Sequence, residues 1–144
     1  MTPALIDTGV LVSGVYWRYE AHYCVEAWLQ GVLALVVSEP IFTEYERVLL
    51  EVKAEQGFAT DLDPWFAAIR HSALWVTPEP LSQPVCRDPN DDKFIEAALA
   101  AKARLLIARD ADLTDLEKPF GIEILTPRQY LARLPRPVRR RLAE

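Results

Sequence analysis

Cysteine and histidine are scarce in this sequence. Cys24 and Cys86 are the only cysteines, with no Cys-x-x-Cys spacing, so neither a disulfide framework nor a zinc site is suggested. A reduced, cytoplasmic setting is the expectation. The two histidines, His22 and His71, form no His-x-x-x-His pair, which removes histidine-based metal chemistry, and each reads as a helix-surface residue. Five glycines build neither a phosphate loop nor a dinucleotide fingerprint, and no Gly-x-Ser-x-Gly elbow is present. No apolar run is long enough to span a bilayer, and Met1-Thr2-Pro3-Ala4 lacks the basic head and apolar body of a signal peptide, so no membrane partner is expected. Positive charge is also short. A net charge of −5 argues against binding polyanions through overall charge, unless a bound divalent cation reverses the field locally.

What is present is a folded-protein composition, half hydrophobic and about a quarter charged, in a length that suits one domain. Short apolar runs alternate with longer helical stretches. Ala4-Leu5-Ile6, Leu33–Val37, Ala73–Val76, Leu105–Ala108 and Ile122–Leu125 are continuous rather than alternating, as parallel strands covered on both faces require. Between them, Pro40 opens a stripe of Ile41, Tyr45, Val48, Leu49 and Val52 at helical spacing. Asp63-Pro64 and Thr126-Pro127 read as helix caps followed by proline, and Asp88-Pro89-Asn90-Asp91 as a turn and cap before Phe94, Ile95, Ala98 and Leu99. The pattern predicts an α/β fold on a parallel sheet. We place the domain at residues 1–134 and a basic tail at 135–144, where Pro135 and Pro137 interrupt the arginines and a solvated, frayed end is the simpler expectation.

Functional groups of such sheets gather beyond the carboxyl ends of the strands. Asp7 follows the first apolar run, Asp110 the fourth, and Glu44 lies early in the helix leaving the second. Asp91 and Asp92 head the helix that leads into the fourth strand. Each has a plain structural alternative: Asp7 and Asp91 suit helix caps, Asp110 and Asp112 suit turns, and helical phase does not separate Glu44 from Glu51. Asp92 shares the inner side of its helix with Ile95 and Leu99. Four acids at one edge would repel one another without a compensating ion. A hard divalent cation removes that cost and takes oxygen ligands.

These segments resemble the PIN-domain family. Ala4-Leu-Ile-Asp7-Thr8-Gly9-Val-Leu-Val-Ser is similar to its opening, Val37-Ser-Glu-Pro-Ile-Phe-Thr-Glu44-Tyr to its second acidic segment, and Cys86-Arg87-Asp-Pro-Asn-Asp-Asp92-Lys-Phe-Ile-Glu-Ala-Ala-Leu-Ala to its third. Leu105-Leu-Ile-Ala-Arg109-Asp110-Ala-Asp112-Leu resembles the fourth and Ile124–Leu131 the closing strand and helix. The resemblance is closest to PIN-family toxins of toxin–antitoxin systems, related to the VapC toxins. It implies a three-layer α/β/α domain with about five parallel strands and Mg²⁺- or Mn²⁺-dependent endoribonuclease activity. It further implies metal-holding, catalytic acids at Asp7, Glu44, Asp92 and Asp110, with Asp112 a fifth ligand, and an RNA substrate held with the help of Arg87 and Arg109. Partners would be an antitoxin and a second copy in a homodimer, with the aromatic stretch Trp17, Tyr19, Tyr23 and Trp28 divided between core and partner contacts. Gly9 and Ala108 stand where relatives usually have Asn and Ser or Thr, side chains suited to orienting a metal ligand. Two rivals follow from the same residues: a catalytically silent PIN fold that binds RNA or protein, and an aspartic protease reading of Asp7-Thr8-Gly9.

Overall fold

The computed structural model describes residues 1–144. Five strands, β1 (Thr2–Ile6), β2 (Leu33–Val37), β3 (Leu74–Trp75), β4 (Leu105–Ile107) and β5 (Glu123–Leu125), form one sheet in the order β3-β2-β1-β4-β5. Every pairing is parallel. Helices α1 (Thr8–Tyr16), α2 (Glu20–Leu29), α3 (Glu39–Gln56), α4 (Asp63–Ser72), α5 (Asp92–Ala101), α6 (Ala111–Thr114), α7 (Pro127–Arg133) and α8 (Arg136–Leu142) fill the connections. The result is the three-layer α/β/α arrangement, and its helix content and parallel sheet dispose of the protease reading.

The apolar runs of β1, β2 and β4 become strands because they are buried on both faces of the sheet. Leu5, Ile6, Leu35, Val36, Val37, Leu106 and Ile107 are inaccessible to solvent and join one core with Tyr45, Phe94 and Ile95. The run at 73–76 shortens to two residues because β3 lies at the sheet edge, with Leu74 exposed. No helix is long and apolar enough to cross a membrane.

Local signals act as the residue types require. Thr126 and Gln129 form a reciprocal capping box at the head of α7, satisfying two otherwise unpaired amides. Helix α4 starts at Asp63 itself, and the Asp63 amide donates to Asp61 rather than Asp63 acting as the cap. Pro135 and Pro137 do not fray the C-terminus. They sit at and just inside the start of α8, where proline is tolerated, and buried Leu142 anchors this helix against α2. His22 is likewise more than a surface residue, since its Nδ1 lies 3.1 Å from the Gly14 carbonyl.

Gly14 sets the crossing of α1 and α2. A Cβ there would sit 2.5 Å from Val25 Cγ2 and 2.6 Å from the Ala21 carbonyl oxygen, closer than packed atoms tolerate. Gly14→Ala should therefore cost about 2 kcal/mol through overpacking, despite alanine's better helix propensity. Urea denaturation checks this, and a variant as stable as the parent would show that the helices separate freely.

Candidate functional site

The chain runs outward from β1 to β2 and β3, then returns to place β4 on the other side of β1. The crevice above the β1 and β4 carboxyl ends is thus the switch point at which open α/β sheets hold ligands. Asp7 stands on this edge, its amide donating to the Ile107 carbonyl at 2.9 Å. It occupies the residue before α1 yet makes no side-chain cap hydrogen bond, so the capping role open to it in the sequence is not the one it performs.

Burial pushes the Asp7 carboxyl up to about 6, with further upward pressure from the charges of Asp91, Glu44 and Asp110 against a downward contribution from the Thr8 amide. Asp91 is likewise pushed up to about 6, first by burial and then by Asp88, Glu44 and Asp110, with Lys93 opposing. These four acids share one electrostatic neighbourhood. Asp110 is fixed there by its Oδ1, which accepts the Asp112 amide at 2.9 Å and starts α6.

Glu44 behaves differently. Its pKa is lowered: burial works against the charged form, but hydrogen bonds from Lys93 and Thr8, the Lys93 charge and a hydrogen bond from Asn90 outweigh it. Thr8 Oγ1 donates to Oε2, while Lys93 Nζ at 2.8 Å and Asn90 Nδ2 at 3.1 Å share Oε1. Glu51 is instead exposed and paired with Arg47, which resolves the choice that helical phase left open.

Asp92 is not in this group. Its buried carboxylate accepts from the Cys86 amide at 2.7 Å and from the Val85 amide at 3.2 Å, tying down the loop ahead of α5. The acid facing Asp7 from this segment is Asp91. Its neighbours three, four and seven residues on, Phe94, Ile95 and Ala98, are all buried, whereas Leu99, seven after Asp92, is exposed. Asp91 also makes no cap hydrogen bond; Asp88 does the capping, accepting from the Asn90 amide at 3.0 Å.

Asp112 is engaged on the rim, paired with Arg87 at 2.7 Å. Arg109 donates to Ser13 Oγ at 3.0 Å, which places a second cation on the β4 side of the crevice. Ala108 is buried, and a Cβ at Gly9 would meet nothing within 4 Å, so a side chain at 9 has room. Both thiols are free and buried. Burial pushes Cys24 up to about 12 and raises Cys86 further, the latter helped by Asp92, which makes both poor nucleophiles.

The donor set of Asp7, Glu44, Asp91 and Asp110 is all oxygen, the kind a hard divalent ion takes. Burial first, and the neighbouring acids second, raise the proton affinities of Asp7 and Asp91. As the side chains stand, no group of three or more is drawn together closely enough to hold an ion. Glu44 is occupied by Lys93 and Thr8.

The sequence profile of the PIN domain matches residues 3–112, well over half of the chain. The protein belongs to the PIN-domain family. No curated protein matches it. PIN domains are in general nucleases that use a divalent metal, and three of the acids placed by sequence, Asp7, Glu44 and Asp110, meet at the edge where such a site belongs. Sequence reasoning missed Thr8, Asn90 and Lys93, and weighed Asp91 but chose Asp92 as the ligand. Of the aromatic stretch, Trp28 is buried, Trp17 packs edge-on against Tyr16 and Phe58, and Tyr19 stays largely exposed.

Proposed function

We propose that this PIN domain is a Mg²⁺- or Mn²⁺-dependent endoribonuclease acting on single-stranded or structured RNA. The observation that carries the reading is positional: Asp7 after β1, Asp110 after β4 and Glu44 early in α3 lie at the switch-point edge of a PIN-family sheet, with Asp91 close enough to act on Asp7. Asp7, Glu44, Asp91 and Asp110 would hold the ion, and Asp92 would hold the loop that carries Asp91. A metal held there lowers the pKa of a bound water and neutralises the leaving oxygen of a phosphodiester. Arg87 and Arg109, held by Asp112 and Ser13 near the end of β4, suit phosphate oxygens, with Arg87 exchanging Asp112 for the substrate.

The test is cleavage of a labelled RNA. Purified protein should cut with Mg²⁺ or Mn²⁺, stop on addition of EDTA, and resume when metal is restored. Activity that persists in EDTA would overturn the reading, and a metal-loaded protein that binds RNA without cutting it would favour the silent PIN fold.

The cellular role we propose is that of a toxin held by an antitoxin, working as a cytoplasmic homodimer. It rests on the similarity of the acidic segments to PIN-family toxins. Exposed Tyr19, with Trp17 beside it, suits a partner contact. Growth arrest on expression, relieved by Asp7→Asn, would support it, and light scattering gives the oligomeric state.

A further inference from the structure

We propose that Lys93 is a built-in counter-ion that the incoming metal must displace from Glu44, so that this lysine sets how tightly the site takes its ion. The inference rests on the metal-dependent reading above.

Lys93 is the second residue of α5, two positions after Asp91. Its ammonium is held between two oxygens, Glu44 Oε1 at 2.8 Å and the Asn90 carbonyl at 2.7 Å. Neither partner of the ion pair reaches far into water: the side chains of Lys93 and Glu44 are 12% and 13% exposed. The other exposed ion pairs, such as Arg47–Glu51 and Arg70–Glu39, are worth little, but a desolvated pair between elements holds its geometry.

Both oxygens of Glu44 are engaged in this state. Thr8 takes Oε2, while Lys93 and Asn90 share Oε1. Only Oε2 keeps a free acceptor site, and a divalent ion that recruits Glu44 beside Asp7 comes to share its carboxylate with a cation 2.8 Å from Oε1, so Coulomb repulsion drives out the ammonium. The lysine therefore does two opposed things. It compensates Glu44 while the metal is away, and it competes with the metal for the same carboxylate. The open groove beside it, lined by Glu39, Pro40, Thr43, Arg47 and Asn90, gives a displaced ammonium somewhere to go.

The experiment is a Mn²⁺ titration of metal-free protein, followed by the electron paramagnetic resonance signal of free Mn²⁺. Lys93→Met should bind Mn²⁺ roughly tenfold or more tightly than the parent, the lower range of what a close charge pair is worth. Lys93→Arg, which keeps the charge, should stay near the parent. In EDTA the melting temperature of Lys93→Met should fall, and saturating Mn²⁺ should raise it by more than it raises the parent's. Should Lys93→Met not fold without metal, Lys93→Gln, neutral but still able to donate to Glu44, carries the same expectation. A parent that binds Mn²⁺ while the neutral variants bind no tighter overturns the role of Lys93 alone. A parent that takes up no Mn²⁺ overturns the metal reading and this inference together.

Discussion

Asp7→Asn is expected to lower the rate of RNA cleavage by about a thousandfold or more while making the metal-free protein more stable near neutral pH. The first effect follows from removing a charged oxygen donor at the centre of the site, where metal chemistry supplies several kcal/mol of transition-state stabilisation. The second follows from the raised carboxyl of Asp7, about 6 against an ordinary 3.8. Because the folded protein binds this proton more tightly than the unfolded chain, its stabilising contribution is complete below the ordinary value. It is lost as pH rises through about 6. Above that, the ionised carboxylate is a cost, which asparagine does not carry. No cap hydrogen bond is forfeited, since Asp7 makes none. Calorimetry in EDTA should show the variant gaining on the parent between about pH 4 and about pH 6, then holding a constant lead. Saturating Mg²⁺ should erase that lead by stabilising only the parent. An Asp7→Asn protein that cuts RNA at the parental rate would remove Asp7 from the mechanism.

Two adjacent acids should give opposite results. Asp92→Ala strips the Val85 and Cys86 amides of a buried ionic acceptor. With charge-assisted hydrogen bonds worth about 1.5–3 kcal/mol each, a loss of about 3 kcal/mol in urea denaturation is expected. Cleavage would fall only as far as the loop before α5 loosens. Asp91→Asn should reverse the pattern, with cleavage nearly abolished and stability at pH 7.5 unchanged or improved, because Asp91 too is held uncomfortably ionised and caps nothing. If Asp92→Ala is the silent, stable one and Asp91→Asn the unfolded one, the two carboxylates have been assigned the wrong way round.

That distinction also marks how far sequence alone reaches. The strands were legible because buried parallel strands need unbroken apolar runs, and Leu33–Val37 became β2 without change. Asp7, Glu44 and Asp110 were legible from their distance to strand ends. The Asp91 and Asp92 pair was not, because one residue rotates a helical side chain by about 100° and the first turn of α5 bends through a 3₁₀ segment, Pro89–Asp91, before settling. Lys93 was invisible for a different reason: its partner is 49 positions away, and nothing in the local pattern separates a lysine facing solvent from one facing another helix. Helix α8 was masked by its prolines, which read as breaks until Leu142 is seen to be buried.

The central place of β1 has a consequence for how the chain is made. Asp7 leaves the ribosome about a hundred residues ahead of β4, the strand beside it. At roughly 5–20 residues per second, β1 waits on the order of ten seconds for the neighbour that completes its sheet. Until then the acids of the crevice sit on separate, unpaired stretches of chain. A nascent copy thus lacks the assembled crevice until β4 has emerged, and the flank of β1 that β4 covers stays open for as long.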